Sequence, residues 1–171
     1  MKERTATFCG YVLFITIFLS VVVGIVSLIR SRTADPVVDD TNMAPVTVEA
    51  HIGTNTTPPI LYVQVHIKKG HHIYSINAKT PEPIRTLLVV EPSPEFGVTG
   101  DWFTITKPKT VTIPGFGELE EHAYGALFGL HINPLVDIKT LKIKGSITVA
   151  PCNDERCYLP EKIPFEATVV E

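Results

Sequence analysis

From Pro45 onward, apolar and polar residues alternate with a period of two, and that pattern leaves little but β-strands open to the chain. Val46-Thr47-Val48-Glu49-Ala50-His51-Ile52 alternates over one strand length. After the turn-forming GTNTTPP, Leu61-Tyr62-Val63-Gln64-Val65-His66-Ile67 repeats the pattern. Lys68-Lys69-Gly70 turns the chain again, and 71–76 reads as a third strand. Further candidates are 85–91, 102–105, 123–132, 141–149 and 163–170. Fourteen prolines are spread along the 171 residues, and proline breaks helix interiors while fitting strand edges and turns. Outside the N-terminus no window sustains a 3.6-residue period over ten positions. Seven or eight short strands separated by turn clusters predict an all-β fold, an antiparallel β-sandwich over 45–171. Trp102, with Phe103 beside it, reads as core.

The N-terminus is different in kind. Residues 8–29, FCGYVLFITIFLSVVVGIVSLI, contain no charge over 22 positions. As a helix they would span about 33 Å, enough for a hydrocarbon core of roughly 30 Å. The alternative, a cleaved signal peptide, wants a shorter apolar region ending at a small-x-small site. Here the run ends at Arg30-Ser31-Arg32. A retained single-pass anchor over 1–32 is the expectation, followed by a polar, acidic linker over 33–44. Lys2 and Arg4 precede the apolar run and Arg30 and Arg32 follow it, so the positive-inside bias leaves the orientation nearly balanced.

Charge narrows the class of partner. The first 32 residues carry a net +3 (Lys2, Arg4, Arg30 and Arg32 against Glu3) while the whole chain carries −3, so the remainder carries −6. A soluble part this acidic offers no basic stripe to a phosphate backbone, which argues against nucleic-acid binding. Asn55-Thr56-Thr57 is a glycosylation sequon by pattern and matters only in a glycosylating pathway.

Chemistry is concentrated in the cysteines. Cys9 lies inside the apolar run, where a thiol behaves as a small apolar residue. Cys152 and Cys157 frame the polar segment PCNDERCYLP between two strand candidates. Four intervening residues suit a hairpin whose arms bring the two sulfurs together, given Cα atoms roughly 4.4–6.8 Å apart. Such a bridge is either a structural staple or a redox pair. A very short closed loop stabilises little in the chain-entropy model, and an exposed polar tip is what a partner thiol needs. Arg156 beside Cys157 would favour a thiolate, while Asp154 and Glu155 oppose it. A metal site is the third option, and it is disfavoured: C-x4-C is not the usual zinc knuckle, and His71 and His72, adjacent on a strand, point to opposite faces.

Three segments resemble the N-terminal domain of the thiol:disulfide interchange protein DsbD. Lys68-Lys69-Gly70-His71-His72-Ile73-Tyr74 is similar to one of its strands, Gly115-Phe116-Gly117-Glu118 to its aromatic-glycine loop, and Ala150 through Pro160 to its paired-cysteine signature. They occur in the family order and cover about 46–171. The resemblance implies an immunoglobulin-like sandwich in the periplasm or an equivalent compartment. It also implies reductant relay: Cys157 would form mixed disulfides and Cys152 would resolve them. Phe116, with Gly117 and Glu118, would lie in a cap loop over the disulfide, approached through 104–114, with Tyr74 behind it and Tyr158 following the second cysteine.

The sequence departs from the family in its four-residue spacing, in Tyr158-Leu159-Pro160 where the family has a second proline, and in Gly115 where some relatives have an aromatic. The family's multi-helix membrane domain and thioredoxin domain are not in this sequence. The implied partners are therefore thioredoxin-fold redox proteins or a membrane electron donor acting in trans, with no cofactor and no metal. His122 and Glu118, near the cap loop, read as ordinary solvated residues. The competing reading is a non-enzymatic, membrane-tethered binding or scaffold module in which Cys152–Cys157 is a staple.

Overall fold

The structure, a computed structural model, describes residues 44–80 and 84–170. The expected anchor over 1–32, nearly all of the linker and Cys9 lie outside the described residues. Among the described residues there is no helix, and none is long and apolar enough to cross a membrane.

Ten strands form where the alternation is strongest: β1 (Val46–Gly53), β2 (Ile60–Ile67), β3 (His72–Tyr74), β4 (Leu87–Val90), β5 (Phe96–Thr104), β6 (Lys109–Ile113), β7 (Gly117–Ala123), β8 (Gly125–Pro134), β9 (Ile143–Val149) and β10 (Glu161–Ala167). They build a four-stranded sheet in the order β1-β2-β8-β5 and two three-stranded sheets, β10-β9-β4 and β3-β7-β6. Every ladder within the sheets is antiparallel.

The period of two decides what is buried. In β2, Leu61, Val63, Val65 and Ile67 point inward, and in β8 so do Ala126, Phe128, Leu130 and Ile132. Opposite them, Ile143, Ile147 and Val149 of β9 and Phe165 and Ala167 of β10 supply the facing layer. One continuous cluster joins Ile52, Leu61, Val63, Leu130 and Ile132 to Leu141, Ile143, Phe165 and Ala167, so the four-stranded sheet packs face to face on β10-β9-β4. Trp102 packs against this core, as its apolar surroundings in the sequence suggest. At the side of the sandwich, Ile52 N–H donates to Thr168 O at 2.8 Å, which ties β1 to the segment after β10.

Two expectations need correction. The segment 104–114, read as the approach to a loop, contains β6, and β6 pairs with β7 in a hairpin from Lys109↔Glu121 to Ile113↔Gly117. The signal was faint because β6 is a five-residue strand with two exposed threonines. The strand expected over 123–132 begins instead at Gly125, as β8, and Ala123 closes β7. Tyr124 stands at φ 72° between β7 and β8 and carries the chain from the small sheet into the large one. A left-handed turn at a tyrosine has no local sequence signature, since the region normally favours glycine or asparagine.

The packing within the β10-β9-β4 sheet is tight at Gly145 in β9. A Cβ there would sit 2.5 Å from Cζ of Phe165 and 2.5 Å from the backbone oxygen of Val89. The Phe165 ring lies over the glycine and β4 runs close beside it. Gly145→Ala is expected to cost about 1–3 kcal/mol, as overpacking does in a dense core. The readout is a lower urea midpoint with an unchanged slope; an unshifted midpoint would contradict the packing described.

Candidate functional site

The site is built where β9 and β10 run past the end of their ladder. Val149 faces Glu161, but three residues further on Cys152 faces Cys157. The return arm therefore carries three residues (Tyr158, Leu159, Pro160) against two on the outgoing arm (Ala150, Pro151). The extra residue pushes the return arm outward, leaving Tyr158 and Leu159 exposed, Leu159 at 88%. Two backbone hydrogen bonds bracket the cysteines: Asn153 N–H donates to Arg156 O at 2.9 Å and Tyr158 N–H to Pro151 O at 2.8 Å. Bonds on both flanks make Cys152 and Cys157 a non-hydrogen-bonded antiparallel pair, the type that brings side chains closest. The two form a disulfide with Cα atoms 3.9 Å apart, tighter than the sequence-based expectation. The loop 153–156 closes because Asn153 Oδ1 accepts from the backbone N–H of Glu155 at 3.0 Å and of Arg156 at 2.9 Å, an Asx turn.

The two sulfurs occupy different environments. Cys152 is 0% exposed and belongs to a small core with Tyr74, Ala78 and Leu119. It is held there by β3, since His72 N–H donates to Cys152 O at 2.9 Å and Cys152 N–H to His72 O at 2.8 Å. Cys157, on the free side, is exposed.

Cys157 also forms one wall of an apolar cleft of about 230 Å³, together with Tyr74, Thr80, Ile84, Ile113, Phe116 and Leu119. The β6–β7 hairpin supplies the opposite wall. Its tip is a tight turn in which Phe116 N–H donates to Ile113 O at 3.0 Å. Pro114 and Gly115 are the central residues, and Gly115 at φ 86° gives the type II form that requires a glycine there. Gly117, at φ 81°, returns the chain into β7. Phe116 thus sits at the rim of the cleft and is 60% exposed. It lines the space beside Cys157 without sealing it.

Of the residues singled out from sequence, Cys157, Tyr74 and Phe116 come together around the cleft, with Cys152 directly behind. Gly117 shapes the turn. Glu118 is exposed, pairs with Thr112 and does not line the cleft. Tyr158 stands on the other side of Cys157, with the Arg156 guanidinium 5.0 Å from its ring centre and the His71 ring 5.8 Å away. His71 and His72 do diverge: His71 turns to Tyr158, and His72 turns to Tyr74 and Glu121.

The sequence reading missed a charged cluster on the same face of the small sheet. His72 Nε2 lies 3.7 Å from Glu121 Oε2, with the two side chains only 19% and 13% exposed, and Lys109 Nζ lies 3.8 Å from Glu121 Oε1. The Tyr74 ring meets His72 edge-on at 5.5 Å. Burial, and then the Glu121 charge, push the Tyr74 hydroxyl above its ordinary value. The cluster became visible only with the β6–β7 register, which sets Lys109 opposite Glu121. Among the described residues, no three His, Cys, Asp or Glu side chains group closely enough to hold a metal ion.

His122 corrects another expectation. It is not solvated: it is 2% exposed, edge-on to Phe128 at 5.7 Å, and its Nε2 has no hydrogen-bond partner. In β7 it points away from Leu119 and into the main core, as alternation requires. Burial lowers its pKa below the ordinary 6.5, partly offset by Glu120.

Fold and site together define an all-β domain of antiparallel sheets with a disulfide at a strand-loop tip, one sulfur buried and the other accessible. Solved structures with a similar fold are DsbD N-terminal domains from Neisseria meningitidis. One is in the reduced form, with 14% identity, a TM-score of 0.49, 72% of this chain covered and 86% of the other. The other is in complex with the PilB N-terminal domain, with 14% identity, a TM-score of 0.48, 70% of this chain covered and 80% of the other. No family model and no curated protein matches the chain.

The buried imidazole has a consequence for stability. Its folded pKa lies below its unfolded one, so the unfolded chain binds the extra proton first and stability rises with pH in that window. The His122 contribution is therefore complete above the ordinary value of 6.5 and is lost as pH falls through 6.5 toward the depressed folded value. Urea unfolding across that range should show stability falling with acid, and His122→Phe should flatten the slope. An equally steep acid loss in the variant would contradict this assignment.

Proposed function

We propose that this domain, an immunoglobulin-like sandwich, exchanges electrons with thiol proteins through Cys157, with Cys152 as the resolving cysteine. The single observation that carries the proposal is the asymmetry of the pair. An incoming thiolate can reach Cys157 at the exposed tip, and the electron pair then leaves on the buried Cys152. A staple needs no such difference between its sulfurs, nor an apolar cleft beside one of them. The paired-cysteine signature ending in Tyr158-Leu159-Pro160 supports the same reading.

The reaction proceeds in two steps. A donor thiolate bonds to the Cys157 sulfur, the Cys157–Cys152 bond breaks, and Cys152 carries away the electron pair and takes up a proton. A second thiol of the donor then attacks the mixed disulfide, releasing Cys157 as a thiol and the donor as its own disulfide. Run backward, the same steps reduce an acceptor. Phe116, on a turn with glycines on either side, flanks Cys157 at the rim of the cleft and can shift when a protein docks. With Leu159 and Tyr158 it presents an apolar rim of the kind that protein partners cover. The partners would be thioredoxin-fold proteins or a membrane donor in trans. The domain would stand on the extracytoplasmic side of a membrane, carried by an anchor over 1–32, where disulfides persist.

The test is a trap. In cells carrying the Cys152→Ser chain, Cys157 should accumulate as a mixed disulfide with thioredoxin-fold proteins that dissolves on reduction. A Cys152→Ser chain that captures no thiol protein, while the wild-type bridge forms normally, would overturn the proposal.

A further inference from the structure

Opening the disulfide leaves a charge where the protein has no water. Cys152 is 0% exposed, and burial disfavours a thiolate. The departing sulfur needs a proton from a side chain, and the register of the small sheet indicates which one.

His72 and Cys152 exchange both of their backbone hydrogen bonds, so they stand directly opposite one another. Directly opposed side chains emerge on the same face with Cβ atoms about 5 Å apart. The same holds one strand further on for Cys152 and Cys157. Ala123, His72, Cys152 and Cys157 are thus one row across the strands, which makes His72 the neighbour of Cys152 on the side opposite its disulfide partner. The next row, Tyr74, Glu121 and Lys109, places a carboxylate and an ammonium beside the imidazole. Glu121 lies 3.7 Å from Nε2 and is itself bound by Lys109 at 3.8 Å. Tyr74, held neutral by burial and the Glu121 charge, adds no competing anion. Arg85 neighbours Tyr74 along the backbone. His71 turns away to Tyr158 and Arg156 on the far side of the loop.

We infer that His72 is the proton-handling residue of the exchange site, with Glu121 positioning its imidazolium and Lys109 moderating it. This rests on the exchange reading above. As the donor thiolate bonds to Cys157 and the disulfide breaks, the imidazolium gives its proton to the Cys152 sulfur. A thiol remains beside a neutral imidazole, which regains its proton from solvent. In the oxidising direction the neutral imidazole takes the Cys152 proton, and the thiolate so formed attacks the mixed disulfide at Cys157. Histidine suits the task because it changes charge near neutral pH.

The measurement is the rate at which dithiothreitol reduces the full-length chain in detergent between about pH 5 and 8, divided by the fraction of reductant present as thiolate. In the wild type this corrected constant should rise as pH falls. In His72→Gln it should be flat and about tenfold lower at the acidic end, a modest effect for a placed proton donor because a thiolate is already a fair leaving group. Glu121→Gln should move the rise to lower pH and Lys109→Met to higher pH, opposite shifts that a merely structural cluster would not produce. A His72→Gln profile that follows the wild type overturns the inference. If that variant does not fold, unshifted profiles in both Glu121→Gln and Lys109→Met overturn it. A wild-type chain that resists the reductant at every pH removes the exchange reading itself, whereas a reducible chain with unchanged profiles removes only the role of His72.

Discussion

Two backbone hydrogen bonds between His72 and Cys152 fix the geometry of the site. They stitch the outgoing arm of the cysteine loop to β3, and through β3 to the β6–β7 hairpin. Because Cys152 is paired on that side, its sulfur is held in the small core with Tyr74 and Leu119. Because no strand among the described residues continues the sheet beyond Cys157, the second sulfur lies at its edge. An edge strand leaves its groups open to an incoming chain, and here the edge also carries the exposed sulfur. The difference between the two cysteines is therefore a property of their places in a ladder, and identical side chains acquire different exposure from it.

The larger sandwich keeps this arrangement steady. β9 and β10 are clamped against the four-stranded sheet by Phe165, Ile143, Leu130 and Ile132, and the cysteine loop is their direct extension. The cap side is lighter in construction. Toward its tip the β6–β7 hairpin packs through Leu119, Val111 and Ile113 and ends in a turn with two left-handed glycines. Few buried contacts at a loop tip are what local opening requires. One wall of the cleft thus stands on the packed sandwich and the other on a hairpin tip.

Much of the fold could be read from the chain. β2, β8 and β9 each bury one alternate set, β1 buries the two ends of its own, Val46 and Ile52, and their positions follow from those sets. The cysteine hairpin was legible from spacing and turn residues, although the one-residue offset between its arms was not. What escaped was whatever depends on pairing between distant segments. β6 alternates over only Thr110-Val111-Thr112-Ile113, a run too short to stand out between Pro108 and Pro114, and it is a strand because β7 pairs with it. The turn at Tyr124 is imposed by the crossing between sheets. Buried His122 was misread as solvated because neighbouring glutamates disguise an inward position. The His72–Glu121–Lys109 cluster joins three strands, so no local window contains it.

The central claim is that Cys152–Cys157 is a working redox couple, and its reduction potential tests that most directly. The full-length chain should be equilibrated with dithiothreitol or glutathione buffers of graded poise and quenched with an alkylating agent, and the reduced fraction counted by mass. The account predicts a midpoint within the span of thioredoxin-fold proteins, roughly −120 to −270 mV. A pair that stays oxidised below about −300 mV would be a staple, and the exposed sulfur would then be only the outer half of a structural bridge.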